Sequence, residues 1–185
     1  MLSICVRFPV VSGSEEAYGL ITKMSLLQRR KGLSRPCCWT IWCCKVDASV
    51  AGEEAGFAAV HTNGLDIGDS WVSVGFSGVL EGELQGIALA LHLAIEKEAK
   101  EVQIETDSLA AATAFAAENL PFGWSTFPLF SECLNLCKAF NKVVVLHVNQ
   151  NENVLADKLD CWARMHKAEA SGFLREVAPL FSRFQ

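Results

Sequence analysis

Between residues 41 and 170 the chain changes its hydrophobic period in a fixed order, and that order excludes most architectures before composition is considered. WCCKVDASV, AGFAAVHT and SWVSVGFSG read as strands, with the turn residues of NGLDIGD before the third. LEGELQGIALALHLAIEKEA then repeats apolar residues at Leu80, Leu84, Ile87, Leu91 and Ile95, one stripe of a helix. EVQIET returns to strand alternation, SLAAATAFAAEN is helical, and NLPFGWS is a Pro and Gly loop before a further helix expected over about 127–140. KVVVLHV is a β-branched strand, NQNEN a polar connector, and ENVLADKLDCWARMHKA the last clear helix.

Three strands on short connections form an antiparallel meander. Strands four and five are each reached through a helical crossover and so run parallel to the first. The expected fold class is α/β, a mixed five-stranded sheet of three antiparallel strands then two parallel ones, flanked by helices. Residues 1–40 show no sustained period and read as an N-terminal appendage, disordered or targeting. Residues 41–170 form the expected domain, and 171–185 a C-terminal tail that is partly helical. A hydrophobic content of 51% with 20% charged residues in 185 suits one packed core. The uncharged stretches 84–95 and 119–131 fall short of the roughly 18 to 20 apolar residues that cross a bilayer, so no membrane partner is expected.

Charge is unevenly distributed. Residues 1–40 carry Arg7, Lys23, Arg29, Arg30, Lys31 and Arg35 against Glu15 and Glu16, with several serines, a composition that organelle-targeting segments favour. Arg7 interrupts the opening apolar run, which argues against a secretory signal, and the expected location is intracellular, nucleus or cytoplasm, unless 1–40 direct the chain to an organelle. Removing that segment from totals of 16 basic and 21 acidic residues leaves 10 and 19 in 41–185, a net −9 against −5 overall. An acidic domain argues against a broad basic nucleic-acid patch. The eight cysteines, without a secretory context, read as reduced thiols. The vicinal pairs Cys37–Cys38 and Cys43–Cys44 lack the gap that lets two thiolates reach one zinc, and Cys133 and Cys137 read as buried small apolar side chains.

Four acids stand where these elements could converge. Asp47 shares a strand face with Lys45 and Ser49, which in isolation reads as solvent-facing, yet helices flank a sheet of this type on both sides. Glu83 lies three residues after Leu80 and four before Ile87, at the border of the apolar stripe; a first-turn acid favoured by the helix dipole is the plainer account. Asp107 ends the fourth strand, where ligand sites in α/β sheets gather, although Asp107 or Ser108 could equally cap the next helix. Asp157 sits in the last helix between Val154 and Cys161, and its plain account is a loose surface pair with Lys158 or Arg164. Carboxylates gathered at one sheet edge repel, and divalent metal with oxygen ligands relieves that repulsion.

KVDAS, the Glu83 helix, the strand-end ETDS and HVNQNENVLADKL together resemble the type 1 ribonuclease H family, in detail its plant retroelement-derived branch, over about 41–170. The resemblance implies that Asp47, Glu83, Asp107 and Asp157 hold two Mg²⁺ (or Mn²⁺) ions and carry the hydrolysis of the RNA strand of an RNA–DNA hybrid. It also implies recognition of A-form shape and 2′-hydroxyls rather than base sequence. This sequence departs from the family pattern at Ala48, where Gly is frequent, at Gln150, where the plant-like branch has Arg, and in NQNEN, which lacks a loop histidine. His147 shares strand parity with Val143 and Val145 and reads as a structural histidine. Lys97, Lys100, Lys138 and Lys142 are the nearest candidates for phosphate contact. Two other readings compete: a catalytically silent ribonuclease H-like module that binds nucleic acid or protein, and a related 3′ to 5′ exonuclease. The exonuclease pattern wants an acid at the position of Ser49.

Overall fold

The computed structural model describes residues 41–62, 67–74, 78–120 and 125–173, with backbone alone for 67–74 and 170–173. The expectations for 1–40, for the turn at 63–66, for 75–77, for the loop at 121–124 and for the tail 174–185 lie outside the described residues.

The period changes become a six-stranded sheet in the order β5-β4-β1-β2-β3-β6. Its strands are β1 (Ile41–Ala51), β2 (Glu54–His61), β3 (Ile67–Val74), β4 (Glu101–Thr106), β5 (Lys142–His147) and β6 (Ala170–Phe173). Side chains are described for β1, β2, β4 and β5. The meander is antiparallel, with Asp47 opposite Ala58 and Phe57 opposite Trp71. β4 runs parallel to β1, with Val46 opposite Thr106, and β5 parallel to β4, with Thr106 opposite His147. The helices are α1 (Val79–Glu96), α2 (Leu109–Ala117), α3 (Phe127–Cys137) and α4 (Val154–His166), and no helix among the described residues is long and apolar enough to cross a membrane.

Two cores sit on the two faces of the sheet. On one, Leu84, Ile87 and Leu91 of α1 meet Cys44 and Val46 of β1, Ile104 of β4 and Phe130 of α3. Each large side chain so buried contributes about 1.5–3 kcal/mol relative to exposure. On the other, Ala156, Leu159, Trp162 and Ala163 of α4 cover Ala58 and Val60 of β2. β2 is therefore buried on both faces from Ala55 to Val60, which explains why its sequence is a continuous small apolar run rather than an alternation.

Two glycines set how closely the helices approach. A Cβ on Gly56 of β2 would lie 2.2 Å from the Asp160 carbonyl oxygen and 2.7 Å from the Arg164 nitrogen, so α4 rests its backbone directly on the strand. A Cβ on Gly82 would lie 3.0 Å from Val50 Cγ2 and 3.1 Å from Ala48 Cβ, which draws the first turn of α1, and Glu83 with it, against β1.

The expected α/β class, mixed sheet and parallel crossovers are present; among the described residues the strands number six rather than five. β6 pairs antiparallel with β3, Ile67 opposite Phe173 through Ser70 opposite Ala170. Four residues, ASGF, are too short to carry an alternation, so β6 is specified by its partner strand. β3 begins at Ile67, three residues earlier than its pattern suggests, because Ile67 and Gly68 already pair with β6 and β2. α3 stops at Cys137, and NQNEN folds into a 3-10 turn over Gln150–Glu152.

Candidate functional site

Val46 pairs with Thr106 at the carboxyl ends of β1 and β4, so the residues that follow each, Asp47 and Asp107, emerge side by side. Glu83, drawn in by Gly82, completes the group: one carboxylate oxygen from each of Asp47, Glu83 and Asp107 lies within 4.8 Å of the other two. Asp47 is 6% and Glu83 4% exposed, so α4 covers the strand face that alternation alone would have left to solvent. Asp157 lies outside this trio, half-buried in the first turn of α4, yet near enough that its charge acts on both Asp47 and Asp107. Asp157 instead groups with Asp160 and Cys161, again within 4.8 Å.

Neutral partners hold these acids in place. The Ala48 amide donates to Asp47 Oδ1 at 2.9 Å. Asn153, fully buried at the start of α4, donates from Nδ2 to the Val46 carbonyl at 2.8 Å and also hydrogen-bonds Asp47, tying α4 to the site. The Thr106 hydroxyl donates to Glu83 Oε2 at 3.2 Å and accepts from the Ser108 amide at 3.0 Å. Ser108 caps α2, accepting from the Ala111 amide at 3.3 Å, so Asp107 is not consumed as a cap. Lys45 fixes the turn before α4: its ammonium lies 3.4 Å from a Glu105 carboxylate oxygen and donates to the Glu152 carbonyl.

The electrostatics follow from burial and like charge. Burial, then the charges of Asp107 and Asp157, pushes the Asp47 carboxyl up to about 7. Burial, then Asp47 and Asp107, pushes Glu83 up to about 8, and Thr106 opposes this. Asp107 is raised by burial and by Asp157, and lowered by its own amide and by His147. Carboxylates held this close against their own repulsion are a hard-oxygen donor set of the kind Mg²⁺ or Mn²⁺ takes, so the residues fit the ions that the resemblance implies.

Three residues acquire a place at the site only in three dimensions, and the first is Asp160. It is 1% exposed on α4, its Oδ1 meets no hydrogen-bond partner, and burial, then Asp47 and Cys161, pushes its carboxyl up to about 10. A signal exists in the sequence: Asp160 interrupts the apolar stripe of Ala156, Leu159 and Ala163. His147 is the second. It is an exposed side chain at the end of β5, beside Asp107, rather than the structural histidine its parity suggests, because β5 is an edge strand whose last residues outrun the core. Third, Arg164, which spacing alone offers as a loose partner for Asp157, donates from Nε to Ser49 Oγ at 2.8 Å.

The lysines nominated for phosphate contact are exposed but lie at the opposite end of the sheet. Lys100 precedes β4 and Lys142 begins β5, while Asp107 follows β4, about 20 Å away along a six-residue strand. The Asn141 amide donates to the Lys100 carbonyl at 2.8 Å, which keeps the 138–142 turn at that far end.

A family model described as Reverse transcriptase-like matches residues 44–163, a span that contains all four acids. The fold is similar to RNase H1 from the halophilic archaeon Halobacterium salinarum (TM-score 0.61, 16% identity, covering 66% of this chain and 96% of that one). It is similar also to the N-terminal RNase H domain of a Mycobacterium tuberculosis protein (0.61, 18%, 68% and 94%). LC11-RNase H1, solved in complex with an RNA/DNA hybrid, is equally similar (0.61, 18%, 68% and 98%). No curated protein matches the sequence.

Proposed function

The chain belongs to the reverse transcriptase-like family, and from that premise we propose that it hydrolyses the RNA strand of RNA–DNA hybrids with divalent metal bound at Asp47, Glu83, Asp107 and Asp157. The observation that carries this reading is the convergence of Asp47, Glu83 and Asp107 within 4.8 Å at the carboxyl ends of two parallel strands. The hybrid held by LC11-RNase H1, a protein of the same fold, supports the choice of substrate.

The four carboxylates would hold the ions, which when bound supply a more acidic water and neutralise charge on the phosphodiester. The chain's own residues keep the carboxylates where ions need them. Thr106 orients one Glu83 oxygen, the Ala48 amide one Asp47 oxygen, and Asn153 couples the start of α4 to β1 so that Asp157 stays in reach. His147, exposed at the end of β5 and paired with Thr106, stands beside Asp107 at the site's open edge.

A second reading, a catalytically silent module that binds nucleic acid or protein, is favoured by the net −9 of residues 41–185 and by the distance of the expected phosphate-contacting lysines from the acids. The two separate on one experiment. Full-length chain with Mg²⁺ or Mn²⁺ is incubated with end-labelled RNA–DNA hybrid, duplex RNA and duplex DNA. Internal cleavage confined to the RNA strand of the hybrid is the expected result; binding without cleavage by folded protein would transfer the case to the silent module.

A further inference from the structure

One buried acid is not needed to explain the site just described. Asp160 is 1% exposed, its Oδ1 lacks any hydrogen-bond partner, and no Lys or Arg forms an ion pair with it among the described residues. An unpaired carboxyl acceptor in the interior is costly unless something occupies it. The same carboxyl lies with the Asp157 carboxylate and the Cys161 thiol in a set whose ligand atoms are all within 4.8 Å of one another.

We propose that Asp157, Asp160 and Cys161 form a second cation site that takes a thiophilic divalent ion of the Zn²⁺ or Cd²⁺ class. Three protein ligands, two oxygen and one sulfur, are the number of protein donors an open zinc site uses, and the sulfur separates this set from the all-oxygen trio. The thiol is oriented from outside the site: Cys161 Sγ lies 3.5 Å from Ser49 Oγ, which is itself held by Arg164. α4 cannot slide to open or close the set, because its backbone rests on Gly56 at Asp160 and Arg164. This set shares the Asp157 carboxylate with the proposed hybrid-cleaving site, so binding is measured without Mg²⁺ or Mn²⁺ and read by absorbance, which needs no cleavage.

The test is a Cd²⁺ titration of the full-length chain, with thiols kept reduced by a phosphine, followed by the ultraviolet cadmium–thiolate charge-transfer band. Because other cysteines can also take cadmium, the difference between wild type and Cys161→Ser is what is read. Wild type is expected to bind one equivalent more than Cys161→Ser. Asp160→Asn, close to isosteric, is expected to bind that equivalent at least about tenfold more weakly. Identical titrations for wild type and Cys161→Ser would overturn the site whether or not Asp160→Asn folds.

Discussion

Asp47 and Glu83 are carboxyls that the fold holds against their own charge, and this makes stability depend on pH in a definite direction. Below about pH 3 both are protonated whether the chain is folded or not. As pH rises, the unfolded chain ionises first, while the folded chain keeps its protons until about 7 at Asp47 and about 8 at Glu83. Stability is therefore lost across that window. The melting temperature of metal-free protein is expected to fall between pH 5 and 8, with a shallower fall in Glu83→Gln, which at pH 8 should melt about 2–4 °C above wild type for each kcal/mol of repulsion removed. Adding Mg²⁺ or Mn²⁺ at pH 8 is expected to raise the wild-type melting temperature through mass action. Parallel pH profiles for the two proteins would contradict this account of Glu83. At this scale the sequence exposed the identities of the acids and the availability of Ser108 as the cap. It did not expose Asp160, because one acid within an apolar stripe reads as the stripe's edge until the packing of α4 on Gly56 shows that it is inside.

The elements that position the site are β1, β4 and α4, and α4 depends on contacts far apart in sequence. Gly56→Ala would drive a methyl into the α4 backbone and is expected to destabilise the protein by about 1–3 kcal/mol, measured by denaturant unfolding. Unchanged stability would mean that α4 does not rest on β2 as described. Lys45→Met removes the clamp on the Gln150–Glu152 turn. Its partly buried ion pair is a single long contact of 3.4 Å, so global stability is expected to move by less than about 1 kcal/mol. Local opening should change instead, with faster hydrogen exchange at the amides of Asn153 and Asp157, and equal exchange in both proteins would remove Lys45 from the positioning of α4. Strands as short as β4 and β5 were legible from period and β-branching alone, and so were the helices. β6 was not, since its pairing partner and not its own four residues decides it.

Across the whole molecule, the proposed activity would bring an acidic chain to a polyanion with the candidate phosphate-contacting lysines at the far end of the sheet. Lys100→Gln together with Lys142→Gln is expected to leave hybrid affinity within about a factor of two, since phosphates at the acid cluster lie a strand's length away. A large loss would mean that the hybrid tracks along the whole sheet. Charge could not be placed from sequence, because which end of a strand a lysine occupies matters only once the site has been assigned to the opposite end. If Asp47, Glu83, Asp107 and Asp157 act as one metal-holding set on hybrid RNA, single-turnover cleavage of a labelled RNA–DNA hybrid by wild type and Asp107→Asn in saturating Mg²⁺ will separate the two proteins. Cleavage by wild type, reduced roughly a hundredfold or more in a variant with the same melting temperature, is the predicted result. Equal rates in the two proteins, or no cleavage by folded wild type, would contradict it.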